Sequence, residues 1–311
     1  MVIFAGICCP EQGFVFLVMQ KVKIHPEGAT LSRIVVGAWR WHMSSSQQVE
    51  TLIKTSLATG VTSFDHADIY GNYSCEEVFG NALRGNSALR DEIEIVTKCG
   101  IKLLSEKRPD HRIKHYDTSK EHIVWSVENS LKMLATDRIE VLLLHRPDPL
   151  LNPVEVAEAF TVLKQQGKVL HFGVSNFTTA QFEMLQSFLP FSLVTNQIEL
   201  SLFKCESFFD GTVDALMKHR IGPMAWSPLG GGKHFHDARI NDALQNLSNH
   251  YRCTPTQLLL AWLLRHPSSI FPILGTTKPE RIEEGAKSIG LHLERPHWFE
   301  MLKWVTERDV A

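Results

Sequence analysis

Residues 62–73 read TSFDHADIYGNY, following Val61. The segment begins as a strand, with β-branched and aromatic residues at Val61, Thr62 and Phe64. It then places Asp65, His66 and Asp68 where the apolar pattern should continue. A carboxylate at a core position of a barrel or sheet is costly unless something pairs with it. The stretch therefore asks what Asp65 pairs with, and why Tyr70 follows so closely.

Outward from this segment, short β-branched runs alternate with helical patterns from Arg33 onward. The strand candidates are RIVVGAW, VTSFDHA, IEIVTKCG, IEVLLLHR, VLHFGVSN, LVTNQIEL, GPMAWSPL and IFPILGT. Amphipathic stretches such as SSQQVETLIKTSLATG and SKEHIVWSVENSLKMLA lie between them. Ser74 with Glu77, and Thr254 with Gln257 behind Pro255, have capping-box spacing. The length alone admits one α/β barrel or two smaller domains. Eight strand–helix alternations with no Pro/Gly/Ser-rich divider favour a single closed (β/α)8 TIM barrel. KVKIHPEGATLSRI has strand–turn–strand character, suited to an N-terminal β-hairpin that plugs the barrel floor. Residues 1–18 are expected to be a disordered N-terminal extension, with Met19 a plausible natural start, and residues 19–311 the barrel domain. The apolar run at the start lacks the basic region and cleavage site of a signal peptide, and Pro10, Glu11 and Gln12 interrupt it before membrane-span length.

A net charge of −2 leaves no electrostatic footprint for nucleic acid, and no basic run suggests a membrane surface. The cysteines, at positions 8, 9, 75, 99, 205 and 253, show neither CxxC nor metal-type spacing, which suits reduced thiols in a cytoplasmic protein. Cys75 falls near a helix start, where a thiol can be acidified; a plain, partly buried cysteine is the competing reading. Two loops exceed minimal barrel length: IKLLSEKRPDHRIKHYDTS after the third strand and LGGGKHFHDARIN after the seventh. Both belong on the C-terminal face, where binding loops gather, although a solvated connection explains the basic one equally well.

The strand ends carry Asp65, Lys98, His145, Asn176, Gln197 and Trp226 in order. A floor or mid-core position would carry Val, Ile or Leu. Taken singly, each residue has a structural explanation; together they aim an acid, a base, an imidazole and two amides at one mouth. Asp65 and Lys98, one strand apart, can pair so that neither charge is buried alone. Tyr70 would then sit beside an ammonium group, which favours the phenolate and lowers the phenol pKa, making it an acid/base group near neutral pH.

These motifs resemble the aldo-keto reductase family from about Val22 to Gly290, in wording closest to its bacterial oxidoreductase branch. Asp65 and Tyr70 in FDHADIYG, Lys98 in VTKCG and His145 in LLLHRPD match the family's catalytic tetrad. GVSNF and NQIELS are similar to the signatures that grip the nicotinamide amide, implicating Ser175, Asn176 and Gln197. The resemblance implies an NADPH-dependent oxidoreductase that reduces aldehydes or ketones to alcohols, with Tyr70 as proton donor and His145 polarising the carbonyl. Trp226 would stack on the nicotinamide, where many members carry Tyr.

No GxGxxG follows a first strand. The glycines of LGGG, Gly230 among them, would let backbone approach the pyrophosphate, with Ser227 and Leu229 alongside; a flexible hinge is the other reading. At the adenine end the resemblance places Thr276 and Arg281 near the 2′-phosphate and Glu284 near the adenine amine, with Gly275 and Thr277 on the same turn. Here the chain departs from the family: Gly275 replaces a phosphate-binding Lys and Gly285 an Asn, so NADH stays open beside NADPH. Trp39, Trp41, Tyr73 and Arg146 would line the substrate mouth, which suits a small carbonyl compound. The tail after Gly290 is short and would cover the pocket less than longer family tails. The state expected is a monomer or small homo-oligomer. Two other readings compete: a cofactor-sensing regulatory barrel with little turnover, and a metal-dependent barrel hydrolase prompted by the 15 histidines and DHAD. No HxH closes the first strand, and the expected tetrad needs no metal.

Overall fold

The structure, a computed structural model, describes residues 21–84, 86–232 and 237–309. The extension expected over residues 1–18 lies outside them. β1 (Lys21–Lys23) and β2 (Thr30–Ser32) pair antiparallel as the expected hairpin. β3 (Val35–Gly37), β4 (Ser63–Asp65) and β5 (Glu94–Cys99) open the barrel. A small antiparallel pair, β6 (Ile101–Lys102) and β7 (His115–Tyr116), then folds the basic loop into an arm. β8 (Ile139–Leu144), β9 (Val169–Ser175), β10 (Leu193–Glu199), β11 (Met224–Trp226) and β12 (Phe271–Leu274) complete a closed parallel barrel, with β12 returning to β3. All eight barrel strands are the runs read from the sequence.

Strand alternation divides the core into two layers. Val35, Val96, Val141, Leu143, Met224 and Phe271 point inward and meet Ile24, Ala29 and Leu31 of the hairpin. Val36, Phe64 and Ile95 point outward under one group of helices, and Leu142, Leu144 and Phe172 under another. The hairpin is tied down where Gly222 N–H donates to the Ile24 carbonyl at 2.7 Å. Beside it, Lys21, Thr62 and Ser63 all donate to the Glu94 carboxylate. The floor is therefore closed, and the opposite end of the barrel is the one free to bind.

Thr254 and Gln257 form the expected capping box, with Pro255 at the first helical position. Ser74 and Glu77 do not. The Ser74 hydroxyl instead donates to the Gly71 carbonyl at 2.6 Å, because the chain reaches the helix Cys75–Leu83 through a tight turn that claims it. The C-terminal helix Arg295–Thr306 packs Met301 and Leu302 against Trp262 on the outer wall. Among the described residues no helix is long and apolar enough to cross a membrane.

Candidate active site

At the C-terminal end of the barrel a cavity of about 620 Å³ is lined by strand-end residues and the loops after them. Asp65 ends β4 on the inward side of the pleat, and Lys98 does the same on β5. Lys98 Nζ donates to Asp65 at 2.7 and 2.8 Å, to the His66 carbonyl at 2.8 Å and to the Tyr70 hydroxyl at 3.1 Å. Each of the three ammonium protons thus has a partner, and Lys98 is 1% exposed. Gln197, on β10, donates from Nε2 to Asp65 at 2.8 Å. The buried Asp65 carboxylate is thus held by both Lys98 and Gln197.

Tyr70 is placed by an unusual turn. Gly71, Asn72 and Tyr73 all have positive φ, at 58°, 55° and 64°, a conformation costly for residues with a side chain. At Gly71 even a Cβ would lie 2.3 Å from His42 Cβ, so glycine is required there. The turn is clamped by Ser74 and by the Tyr73 hydroxyl, which accepts from Leu103 N–H at 2.7 Å. Arg108 lies over the Tyr73 ring at 4.8 Å. Tyr73 therefore does not line the cavity, contrary to expectation, because the turn aims it at the basic arm. Nor does any residue of that arm line it; the arm buttresses the turn that presents Tyr70.

Burial raises the Tyr70 pKa, and Lys98 only partly opposes it. This reverses the expected fall, since the loss of water around the phenolate outweighs the neighbouring cation, and Asp65 adds to the rise. His145, at the end of β8, has its ring 5.8 Å from that of Tyr70 in an edge-to-face arrangement. Burial, then Lys98, Arg146 and Lys114, hold the imidazole well below its ordinary value. His145 is neutral, and its buried Nδ1 has no hydrogen-bond partner.

Ser175, Asn176, Gln197 and Trp226 form one wall. Trp226 Nε1 donates to Asn176 Oδ1 at 2.9 Å, Asn176 Nδ2 donates to Ser175 Oγ at 2.7 Å, and that hydroxyl donates to the Gln197 carbonyl at 3.0 Å. Asn176 and Ser227 also adopt positive φ, so the chain turns sharply as it leaves β9 and β11. Ser227, Leu229, Gly275, Thr276, Arg281 and Glu284 line the cavity as expected. Gly230 does not: it packs on Phe203, whose ring would lie 2.6 Å from a Cβ there, and Gly231 and Gly232 face the cavity instead. Thr277 is likewise absent from the lining.

Of the mouth residues, Trp39 and Arg146 line the cavity and Trp41 does not. Trp41 is fully buried, its ring stacked 6.0 Å from Phe79 and its Nε1 donating to the Thr276 carbonyl at 2.8 Å. The short helix Trp41–Met43 turns it inward, so it anchors the turn at Thr276 from behind. Trp39 Nε1 would lie 2.7 Å from a Cβ at Gly275. The indole thus occupies the space that a longer side chain at position 275 would need. Arg40, Gly37, Thr256 and Leu259 also line the cavity and gave no signal in the sequence. No described residue after Glu284 reaches it. Cys75 is buried, and desolvation pushes its thiol up to about 11 despite two backbone hydrogen bonds, so it is not an acidified thiol. Among the described residues there is no group of three or more His, Cys, Asp or Glu that could hold a metal.

Outward-pointing residues of the same strands make a second, separate network. Thr97 and Ser130 donate to Glu76, and Ser126 donates to Asp68, while His66 packs edge-on against Phe79 at 4.4 Å. Burial raises Glu76 to about 7, and burial with Glu76 nearby raises Asp68 to about 8. Both folded values exceed the ordinary range near 4. Between about pH 4 and 8 the folded state therefore holds protons the unfolded state has released, and stability falls as pH rises. Depressed histidines act in the opposite sense: burial lowers His66 to about 3 and His122 and His171 to about 4, adding stability as pH rises through 6.5. That gain tapers off by about pH 7.5, above which the carboxyl effect dominates. The melting temperature should decline from pH 7.5 to 8.5, and Glu76→Gln should flatten that decline. A wild-type melting curve that is level or rising over this range would contradict the assignment.

Residues 33–298 match the family model described as Aldo/keto reductase family. The uncharacterized oxidoreductase YcsN of Bacillus subtilis is 47% identical over 94% of this chain and 100% of its own length. The 6-dehydroglucose reductase of Agrobacterium fabrum is 43% identical, over 94% of this chain and 100% of its own. An aldo-keto reductase from Klebsiella pneumoniae, crystallised with NADPH, is 26% identical with a TM-score of 0.77, covering 93% of this chain and 96% of that one. Family model and full-length relatives agree with the barrel and the resemblance read from the motifs: the chain belongs to the aldo/keto reductase family.

Proposed function

We propose that the chain is an NADPH-dependent carbonyl reductase in which Tyr70 delivers the proton. The observation that carries this reading is the Lys98 ammonium, bonded to both Asp65 and the Tyr70 hydroxyl at the base of the cavity. Tyr70 accepts from Lys98, which leaves its own proton free for a substrate oxygen. Once that proton has gone, the phenolate stays beside a fixed positive charge. Neutral His145 donates a hydrogen bond to the carbonyl oxygen and orients it. A nicotinamide cofactor bound beside these residues would supply the hydride for the carbonyl carbon.

The residues present fit such a cofactor. Gly231, at φ 65°, faces the cavity with nothing within 4 Å of where a Cβ would stand, leaving room for a phosphate against backbone. Trp226, Asn176, Ser175 and Gln197 would hold the nicotinamide end. The Klebsiella neighbour, crystallised with NADPH, supports this choice, and the activity named for the Agrobacterium relative favours a sugar-derived carbonyl compound. Following NADPH absorbance over a panel of aldehydes, ketones, dicarbonyls and quinones tests the reading. Tight NADPH binding without carbonyl-dependent oxidation would favour a cofactor-sensing barrel instead.

Arg281 is expected to carry the preference for NADPH over NADH. The helix Pro279–Ala286 starts just after β12, no side chain caps its N-terminus, and its dipole favours an anion there. Arg281 lies in the first turn and lines the cavity, adding a planar fork suited to phosphate oxygens. With Trp39 filling the space beside Gly275, no lysine shares the task from that position. A charge-assisted hydrogen bond is worth about 1.5–3 kcal/mol. Arg281→Ala should thus weaken NADPH roughly ten- to a hundredfold and leave NADH nearly untouched. Titrating cofactor fluorescence with both nucleotides reads this directly, and equal losses would place Arg281 away from the 2′-phosphate.

A further inference from the structure

We infer that Arg146 is a specificity-determining residue that selects carbonyl compounds bearing an acceptor oxygen, as hydroxyl or carboxylate, on the carbon beside the reacting carbonyl. The inference rests on the carbonyl-reductase reading and deepens it. Arg146 directly follows His145 and lines the cavity, partly buried. Its guanidinium lies 5.6 Å over the Trp226 ring, which braces it without using its N–H groups. Among the described residues no hydrogen bond or ion pair engages it.

That isolation contrasts with the other charges around the same mouth. Asp65 is held by Lys98 and Gln197, and Glu284 accepts from Thr254 at 2.5 Å. No lining carboxylate is left over for Arg146. Its charge nonetheless reaches the reacting groups, since it helps to lower the pKa of both Tyr70 and His145. A rigid fork of donors, partly removed from water and unpaired, is satisfied when a substrate brings acceptor oxygens to it. A substrate with only carbon beside its carbonyl leaves those donors unmet, and sites built to hydrogen-bond reject analogues lacking the partner far more strongly than apolar sites reject a change of size. His145 would fix the carbonyl oxygen and Arg146 its neighbour, so the substrate is held at two adjacent atoms.

The test uses three two-carbon aldehydes that differ only in the adjacent group: acetaldehyde, glycolaldehyde and glyoxylate. Wild-type protein and Arg146→Met are compared with NADPH, and each substrate is scored as the wild-type to variant ratio of kcat/KM, in which hydration of the aldehyde cancels. The ratios for glycolaldehyde and glyoxylate should exceed that for acetaldehyde by roughly ten- to a hundredfold. A larger ratio for glyoxylate than for glycolaldehyde assigns the oxygen to a carboxylate, and comparable ratios assign it to a hydroxyl. Arg146→Lys should recover part of the preference, as a merely structural role would not. Equal ratios for all three aldehydes overturn the inference, and so does a matching loss of NADPH affinity by fluorescence titration, which would place Arg146 on the cofactor. If wild type turns over none of the three but oxidises NADPH with other members of the carbonyl panel, the inference falls alone; if the whole panel fails while NADPH binds, the carbonyl-reductase reading falls with it.

Discussion

Tyr70→Phe should lower the rate of carbonyl reduction by roughly two to four orders of magnitude, the range for loss of a positioned general acid. The substitution removes one oxygen and leaves the ring in its edge-to-face contact with His145. Lys98 keeps Asp65 and the His66 carbonyl, so the buried charge is not stranded and the melting temperature should stay close to wild type. NADPH affinity should also be nearly unchanged, because the proposed cofactor contacts lie on the ends of β9, β10, β11 and β12. The phenol sits above its ordinary value of about 10 and the imidazole is neutral, so both groups keep one protonation state from about pH 6 to 9. Wild-type reduction should accordingly show no titration from either in that range. A variant that reduces its best substrate at near wild-type speed would remove Tyr70 from the chemistry.

How far the sequence discloses this site depends on where each contact is encoded. The barrel strands are legible because apolar alternation, ended by a polar residue, is a local signal that survives folding. Asp65 and Lys98 are legible for the same reason: they end neighbouring strands on the same side of the pleat. Trp39 and Trp41 are identical residues two positions apart, and only one faces the cavity. What separates them is a hydrogen bond from Trp41 to Thr276, 235 residues away, which no local pattern announces. Tyr73 is redirected by three consecutive left-handed residues, of which Gly71 and Asn72 look like turn residues and Tyr73 itself does not. The sequence points the Tyr70 shift the wrong way because it shows the cation but not how completely water is removed. The Glu76–Asp68 network did leave a trace: Ser126 and Ser130 interrupt the apolar face formed by Ile123, Val127 and Leu131 on the helix Lys120–Met133. Polar residues one turn apart on a buried helix face imply polar partners beneath them.

Lys98→Met should cost both activity and stability, and the two losses can be separated. Methionine keeps the length of the side chain but removes the charge and all the donors that meet Asp65, the His66 carbonyl and Tyr70. Asp65, 2% exposed, then retains only the Gln197 amide. Removing one partner of a buried ion pair typically costs about 3–5 kcal/mol, most of it the penalty of the charge left behind. The variant should therefore unfold at clearly lower denaturant concentration and show no measurable reduction. Adding Asp65→Asn removes the stranded charge, while the Gln197 amide keeps an acceptor at position 65. The double variant should regain most of the lost stability, because the cost belongs to the unpaired carboxylate and not to the missing lysine as such. It should nonetheless remain inactive, since nothing then anchors the Tyr70 oxygen or stabilises the phenolate formed when the proton leaves. Chemical denaturation of wild type, both single variants and the double variant closes the cycle. A double variant no more stable than Lys98→Met would show that the pair does not set the energetics of the barrel mouth, and one that recovered activity would show that Lys98 does not act on Tyr70.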